Sequence, residues 1–349
     1  MINYPLGTKS VILAGAITIL FLASWEMHWR SEGYPIAPED NKALWAEQRA
    51  KLENMAATGV ALLGSSRVFF DIQLNEWQKE TAVRPVMIAA AGTTPMPVFQ
   101  DIVENSKFNG TLLIGITPPL YFSPPIKEND FFQRITNWIK HYHKRTYADR
   151  LNHFLSQGPQ NSFAFLNSTE ETFYNELDLK TIIDRIPLPM RVMAPPPFPE
   201  FQYLDKDRNV TMWEITVTDT TYARMITDFW SFVIQPPPNL PPPEVIEEMK
   251  NGLIGLTVSL VEKFEARGGK VIFIRCPSQN QFRMAENGGF PREAYWDELV
   301  KATNCASYHF EDYDFMNKYT LPEWSHLATP DARQFTKDLV QQMQKDGVL

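Results

Sequence analysis

Five short runs of apolar residues recur along the chain, and several of them are separated by stretches with helical periodicity. The runs are almost continuously apolar, which is typical of strands that are buried on both faces of a parallel sheet. Strands followed by helices indicate an α/β fold, so the pattern predicts a doubly wound, parallel, five-stranded sheet. The predicted strands are residues 59–63, 85–90, 111–116, 270–275 and 307–310, and the clearest helices are residues 41–55, 97–106, 243–267, 292–303 and 329–345.

Two of these helices carry terminal signals. The pair Gly268-Gly269 is expected to end the helix 243–267 just before the fourth strand. The last helix is expected to take Thr329 as its N-cap, with Pro330 at its first position. This places His326 in the loop that precedes the final helix.

An uncharged, mostly apolar run lies near the amino terminus at residues 11–24, followed by Trp25 and Trp29. A transmembrane helix needs roughly 17–25 residues, so the span must include flanks such as residues 8–29. We predict an uncleaved membrane anchor in residues 1–30 and a linker helix in residues 31–57. A cleaved signal peptide and a buried soluble helix are the alternatives, although cleavage after Ser24 would place Leu22 where a small residue is preferred.

The charges around this segment indicate its orientation. Lys9 precedes the apolar run, whereas Glu26, Glu32, Glu39 and Asp40 follow it. The positive-inside tendency then leaves the amino end in the cytoplasm and the bulk of the chain outside.

The region 121–240 departs from the alternation of strands and helices. It is rich in aromatic residues and ends in proline runs at residues 194–197, 236–238 and 241–243. Proline runs form stiff, extended segments without amide donors. We predict a helical, proline-rich insertion into an α/β domain made of residues 58–120 and 241–349. The insertion is interpreted as a lid or docking region, or as a packed structural elaboration.

Composition excludes some functions and leaves others open. A net charge of −8 argues against nucleic acid as a partner, because phosphate binding needs a basic face. The two cysteines, Cys276 and Cys305, are expected to be free thiols. His141 and His143 lack a carboxylate or cysteine at ligand spacing and are interpreted as part of a basic helix face. Neither a metal nor a cofactor is predicted.

Three residues form a candidate catalytic set. Ser66 follows the first predicted strand, and Glu323 precedes His326 by three residues. A serine hydroxyl becomes an effective nucleophile when an imidazole removes its proton, and a carboxylate holds that imidazole in the required tautomer. The alternative for Ser66 is a turn residue that caps the next helix.

The motifs that contain these residues resemble those of the SGNH (GDSL-like) hydrolase superfamily. Gly64-Ser65-Ser66 matches the family's Gly-Asp-Ser turn, with Ser65 in place of Asp, and Glu323-x-x-His326 matches its Asp-x-x-His pair, with Glu in place of Asp. The resemblance covers roughly residues 58–120 and 269–342. It implies a flavodoxin-like SGNH fold in which Ser66, Glu323 and His326 are catalytic.

The resemblance also implies an oxyanion hole formed by the backbone amide of Ser66, by Gly92 and by Thr117. Gly92 follows the second strand, where the family has its oxyanion glycine. Thr117 follows the third strand and stands where the family has an asparagine. A threonine hydroxyl can donate a hydrogen bond, but its reach is shorter than that of an amide.

These expectations lead to a functional hypothesis. The resemblance implies an acyl-serine intermediate and a serine esterase or O-acyltransferase. Together with the anchor, it suggests a single-pass protein of the inner (cytoplasmic) membrane with a periplasmic or extracytoplasmic domain, which modifies a carbohydrate polymer beside a polytopic membrane O-acyltransferase. The alternatives are a catalytically silent scaffold or glycan-binding subunit of a membrane complex, and an anchored lipase-like enzyme.

Overall fold

A five-stranded, all-parallel sheet lies at the centre of the fold. The computed structural model describes residues 7–122, 130–166, 200–235 and 240–349. The strands are β1 (Val60–Leu63), β2 (Val86–Met87), β3 (Thr111–Gly115), β4 (Gln202–Leu204), β5 (Val210–Met212), β6 (Lys270–Arg275) and β7 (Ala306–His309). The sheet has the order β2-β1-β3-β6-β7, while β4 and β5 pair with each other as an antiparallel hairpin. The predicted parallel α/β architecture is confirmed.

Helices cover both faces of this sheet. Within the described residues they are α1 (Thr8–Ser31), α2 (Lys42–Lys51), α3 (Ser66–Asp71), α4 (Leu74–Thr81), α5 (Met96–Asn105), α6 (Pro118–Tyr121), α7 (Asp130–Lys144), α8 (Tyr147–Gln160), α9 (Glu214–Thr218), α10 (Thr220–Val233), α11 (Pro243–Glu265), α12 (Asn280–Gly289), α13 (Arg292–Thr303), α14 (Asp314–Asn317) and α15 (Thr329–Lys345).

The two faces form separate hydrophobic clusters. On one face, Leu62 of β1 packs in a cluster with side chains of α3, α4 and α15, such as Trp77 and Phe335. On the other face, Leu63 of β1 belongs to a cluster with α2, α5, α7, α11 and α13, which includes Trp45 and Phe264. Successive strand residues point to opposite faces, so a continuous apolar run supplies both clusters.

Several predicted boundaries differ from the structure by a few residues, and two of these differences have a clear physical cause. The second strand was predicted to reach residue 90, but β2 ends at Met87, because the amides of Ile88 and Ala89 both donate to the carbonyl of Leu62 and interrupt the ladder. Thr329 is the first residue of α15 rather than its N-cap, and its hydroxyl accepts a hydrogen bond from the amide of Met212 at 2.9 Å.

Among the described residues, α1 is the one helix that is long and apolar enough to cross a membrane. It also meets the length and composition criteria that a signal sequence would meet, and none of its residues is buried. Its carboxyl end contacts the rest of the chain, since the Glu26 carboxylate accepts hydrogen bonds from the amides of Ala164 and Phe165 at 2.9 and 3.2 Å.

The described parts of region 121–240 contain α7, α8, the β4–β5 hairpin, α9 and α10. The hairpin was not among the predicted elements. The proline runs at 194–197 and 236–238 lie outside the described residues. Within α7, His143 Nε2 donates a hydrogen bond to the Asp101 carboxylate, which also pairs with the buried guanidinium of Arg49.

Candidate functional site

The predicted site residues lie at the carboxyl edge of the parallel sheet. Ser65 and Ser66 follow β1, Gly92 lies in the turn after β2, and Thr117 follows β3. The chain passes from β1 to β2 on one side and then returns to place β3 on the other side of β1. Ligands of open α/β sheets bind at such a reversal, beyond the carboxyl ends of the strands.

Close packing at two glycines seats α3 against these strand ends. Gly64 has φ +156°, and a Cβ built there would lie 2.8 Å from Cγ2 of Val68. A Cβ at Gly115, the last residue of β3, would lie only 2.1 Å from the same methyl group. The Val68 side chain therefore requires glycine both just after β1, at Gly64, and at the end of β3, at Gly115. This close packing brings the first turn of α3, with Ser66, over the ends of these two strands.

Ser65 and Thr117, which follow the first and third strands of the sheet, contact each other. Their hydroxyl oxygens are 2.8 Å apart and both side chains are buried. One hydroxyl hydrogen forms this bond, so the pair retains one further O–H that can donate to a bound group. The Thr117 hydroxyl is thus held by a hydrogen bond to Ser65 where β1 and β3 end.

Glu323 and His326 form a buried pair in the loop before α15. The Glu323 Oε1 atom accepts hydrogen bonds from the backbone amide of His326 at 2.6 Å and from its Nδ1 at 2.9 Å, and the amide of Ser325 donates to the same oxygen at 3.3 Å. Both side chains are fully buried. A carboxylate at Nδ1 holds the imidazole in the tautomer that leaves Nε2 as the acceptor.

Helix α10 supplies the other oxygen of Glu323 with a donor. Trp230 of α10 donates from its indole Nε1 to Oε2 at 2.5 Å. Phe201, which precedes the β4–β5 hairpin, lies 5.7 Å from the imidazole of His326 between ring centroids. The sequence motif identifies neither residue, and the aromatic richness of the region was the only signal that could have pointed to them.

Helix α3 and the histidine loop are joined at three points. The Asp71 carboxylate accepts the amide of Leu327 at 2.9 Å, Arg67 Nε donates to the hydroxyl of Ser325 at 3.3 Å, and the ring of Phe70 stacks on His326 with centroids 4.3 Å apart. Ser66 lies one helical turn before Phe70 and therefore on the same side of α3. The helix that begins with Ser66 is thus placed directly against the imidazole.

The hydrogen bond that would carry a proton from Ser66 to His326 is not formed in this conformation. Among the described residues, His326 Nε2 is buried and makes no hydrogen bond, and no bond joins it to Ser66. Ser66 itself is partly exposed, in contrast to the buried pair. Catalytic hydrogen bonds are often long or absent until substrate is bound.

Buried charges surround the site and are paired within the protein. Burial raises the pKa of the Glu286 carboxyl, but the charges of Arg275 and Arg67 outweigh this effect and lower it to about 2. The Arg67 guanidinium lies 2.7 Å from Glu286, so these two side chains form an internal ion pair.

Burial raises the pKa of Asp71 well above its usual value, although the amide of Leu327 and the charge of Arg67 act in the opposite direction.

Comparison with models of known protein families and with curated proteins gives no match to this chain. Within the described ranges, no group of three or more His, Cys, Asp or Glu side chains could hold a metal ion.

Proposed function

We propose that this protein is a membrane-anchored, SGNH-like serine esterase or O-acyltransferase that acts on an envelope or exported carbohydrate polymer. The proposal rests on the way in which the two ring nitrogens of His326 are bonded. Its Nδ1 is held by a buried carboxylate, while its Nε2 has no hydrogen-bond partner among the described residues. A purely structural histidine in such a buried position is normally bonded at both nitrogens.

The strand order supports the fold part of the proposal. Counting only the strands of the large sheet, the order is second, first, third, fourth, fifth, which is the flavodoxin-like arrangement. Ser66 follows the first of these strands and His326 precedes the last helix, and both positions agree with the resemblance seen in the motifs. Neither observation depends on the chemistry of the site.

In the proposed mechanism, His326 takes the proton of Ser66 as the hydroxyl attacks an ester carbonyl, and Glu323 stabilises the imidazolium that forms. The new bond joins Ser66 Oγ to the acyl carbon, and the leaving alcohol receives the proton from His326. The backbone amides of Ser66 and Gly92, together with the spare O–H of the Ser65–Thr117 pair, would donate to the oxyanion. One such donor contributes about 2.7–4 kcal/mol to transition-state stabilisation.

The acyl group would then pass to water or to a sugar hydroxyl. The candidate span α1 favours transfer at a membrane, with the folded domain on the extracytoplasmic side of an inner membrane. A polytopic membrane O-acyltransferase is the expected partner, because an acyl donor made in the cytoplasm must cross the bilayer to reach an acceptor outside.

A second function is favoured by a different observation. The two positions that differ from the family motif, Ser65 and Thr117, bond to each other, and no hydrogen bond joins Ser66 to His326 Nε2. A catalytically silent scaffold or glycan-binding subunit would show these features if the oxyanion hole had been lost.

Labelling with a fluorophosphonate distinguishes the two functions. The full chain in detergent is treated with the probe, and the Ser66→Ala and His326→Ala variants are compared with Ser65→Ala as the matched serine control. We expect labelling to vanish in Ser66→Ala and to slow by about 10²–10⁴-fold in His326→Ala. It should persist in Ser65→Ala, because the Thr117 hydroxyl retains a hydrogen that can donate to the oxyanion. Labelling that persists in Ser66→Ala, or a folded wild-type chain that never labels, would contradict the proposed enzyme.

A further inference from the structure

Helix α8 (Tyr147–Gln160) presents an apolar face to solvent. Tyr147, Phe154 and Leu155 are 79%, 70% and 61% exposed, and Leu151 between them is also exposed. These positions follow the i, i+4, i+7, i+8 spacing of a single helix face. Helices on the surface of globular proteins normally bury such a face against the core.

The opposite, polar face of α8 is the one that packs inward. His153 Nε2 and Gln157 Nε2 both bond to the Glu47 carboxylate of α2, at 2.9 and 2.8 Å. The usual arrangement of an amphipathic helix is therefore inverted. Exposed apolar stripes of this kind mark surfaces that are covered by a membrane or a partner.

The position of α8 indicates what covers it. The short 3-10 helix that follows it, Ala164–Leu166, donates backbone amides to Glu26 near the carboxyl end of α1. Arg30 of α1 adds a hydrogen bond to the carbonyl of Ser162 at 3.4 Å. Phe163, in the same segment, is 41% exposed. The apolar face is thus held beside the end of the candidate membrane helix.

Charge at the start of α8 is consistent with the same surroundings. Lys140 and Lys144 at the end of α7 are exposed, and Arg150 of α8 is exposed beside the apolar face. Basic side chains that flank an apolar helix face are attracted to anionic lipid headgroups.

We propose that α8 lies in the plane of the membrane–water interface, with Tyr147, Leu151, Phe154 and Leu155 inserted among anionic lipids. This inference rests on the membrane anchor of the proposed function but not on its chemistry. With α1 it gives the domain a second point of attachment. A single helix leaves the domain free to rotate about its tether, whereas two attachments hold one side of the protein against the bilayer.

Site-directed spin labelling of the full chain tests this arrangement. Phe154→Cys carries a nitroxide at the centre of the face, and Asn152→Cys is the control, because it lies about 160° around the helix at 3.6 residues per turn. Asn152 is exposed and Cys276 and Cys305 are buried, so the unsubstituted chain provides the background signal. Both variants are reconstituted in vesicles of phosphatidylcholine and phosphatidylglycerol. Flotation then separates protein bound to vesicles from free protein before the spectra are recorded.

In vesicles that float with the protein, we expect the label at 154 to collide several-fold more with oxygen than with a water-soluble nickel complex. Its depth should be about 5–10 Å into the headgroup and acyl boundary. The label at 152 should show the opposite preference. Equal exposure of both labels to the nickel complex would overturn the interfacial helix, as would protection of 154 only in native membranes, which would indicate a protein partner. If the protein does not float with the vesicles, the membrane anchor itself is refuted. This outcome is distinct from the two label results that would overturn the interfacial helix.

Discussion

Trp230→Phe tests whether helix α10 supports the Glu323–His326 pair. In the residues that the structure describes, the indole Nε1 of Trp230 is the only hydrogen-bond donor to Glu323 Oε2, while the other three donors all bond to Oε1. The substitution retains most of the aromatic ring and removes this donor. It leaves one oxygen of a fully buried carboxylate without a donor.

The expected cost follows from this geometry. Hydrogen bonds to charged groups contribute about 1.5–3 kcal/mol, and a buried acceptor without a partner loses all of that contribution. We therefore expect the free energy of unfolding to fall by about 2 kcal/mol. If the bond also orients His326, fluorophosphonate labelling should slow by about 10- to 100-fold, because each 1.4 kcal/mol in the barrier is a factor of ten in rate.

The assay is urea unfolding of the full chain in detergent, with labelling rates measured on the same samples. Trp213→Phe is the matched control, since this partly buried tryptophan lies in the same region, 121–240, and its Nε1 makes no hydrogen bond to a described residue. In a Glu323→Ala background, Trp230→Phe should cost less than about 0.5 kcal/mol if it acts through the carboxylate. Equal losses in the two tryptophan variants, or an unchanged cost in the Glu323→Ala background, would refute the reasoning.

Two further predictions concern stability. Gly115→Ala places a Cβ 2.1 Å from Val68 Cγ2 and should destabilise the fold by about 1–3 kcal/mol in urea unfolding. In the double variant, Val68→Ala should relieve much of this cost. If the costs of the two substitutions simply add, the proposed contact is contradicted. Burial, together with the charges of Arg275 and Arg292, lowers the pKa of His309 to about 2 from 6.5. The unfolded chain therefore binds a proton that the folded chain excludes, so stability falls as pH decreases below about 6.5, by up to about 1.4 kcal/mol per unit. His309→Asn should flatten the profile between pH 6.5 and 5, and identical slopes would contradict this assignment.

The buried α/β core was predictable because its pattern is local. Continuous apolar runs supply side chains to both faces of a strand, so the five parallel strands could be located from the sequence without knowledge of their neighbours. The Glu323–His326 pair was also predictable, since three residues in one loop suffice to bring a carboxylate to Nδ1. The hairpin of Gln202–Leu204 and Val210–Met212 was missed because its strands have only three residues each.

Other features depended on contacts between distant segments. The bond between Ser65 and Thr117 joins residues 52 positions apart, and that between Trp230 and Glu323 spans 93 positions. No periodicity encodes such pairs, because they result from the order in which strands assemble and from how side chains fill the space between them.

The sequence by itself therefore determined which segments form the strands of the parallel sheet, which helix could enter a membrane and which residues could form an acid–base pair. Tertiary structure alone decided that Val68 packs against Gly115, that Trp230 of α10 reaches the Glu323 carboxylate, and that α8 turns its apolar face outward. Hydrophobic periodicity specifies how residues are distributed around an element. It does not specify which way that element faces, since orientation depends on the neighbours against which the element packs.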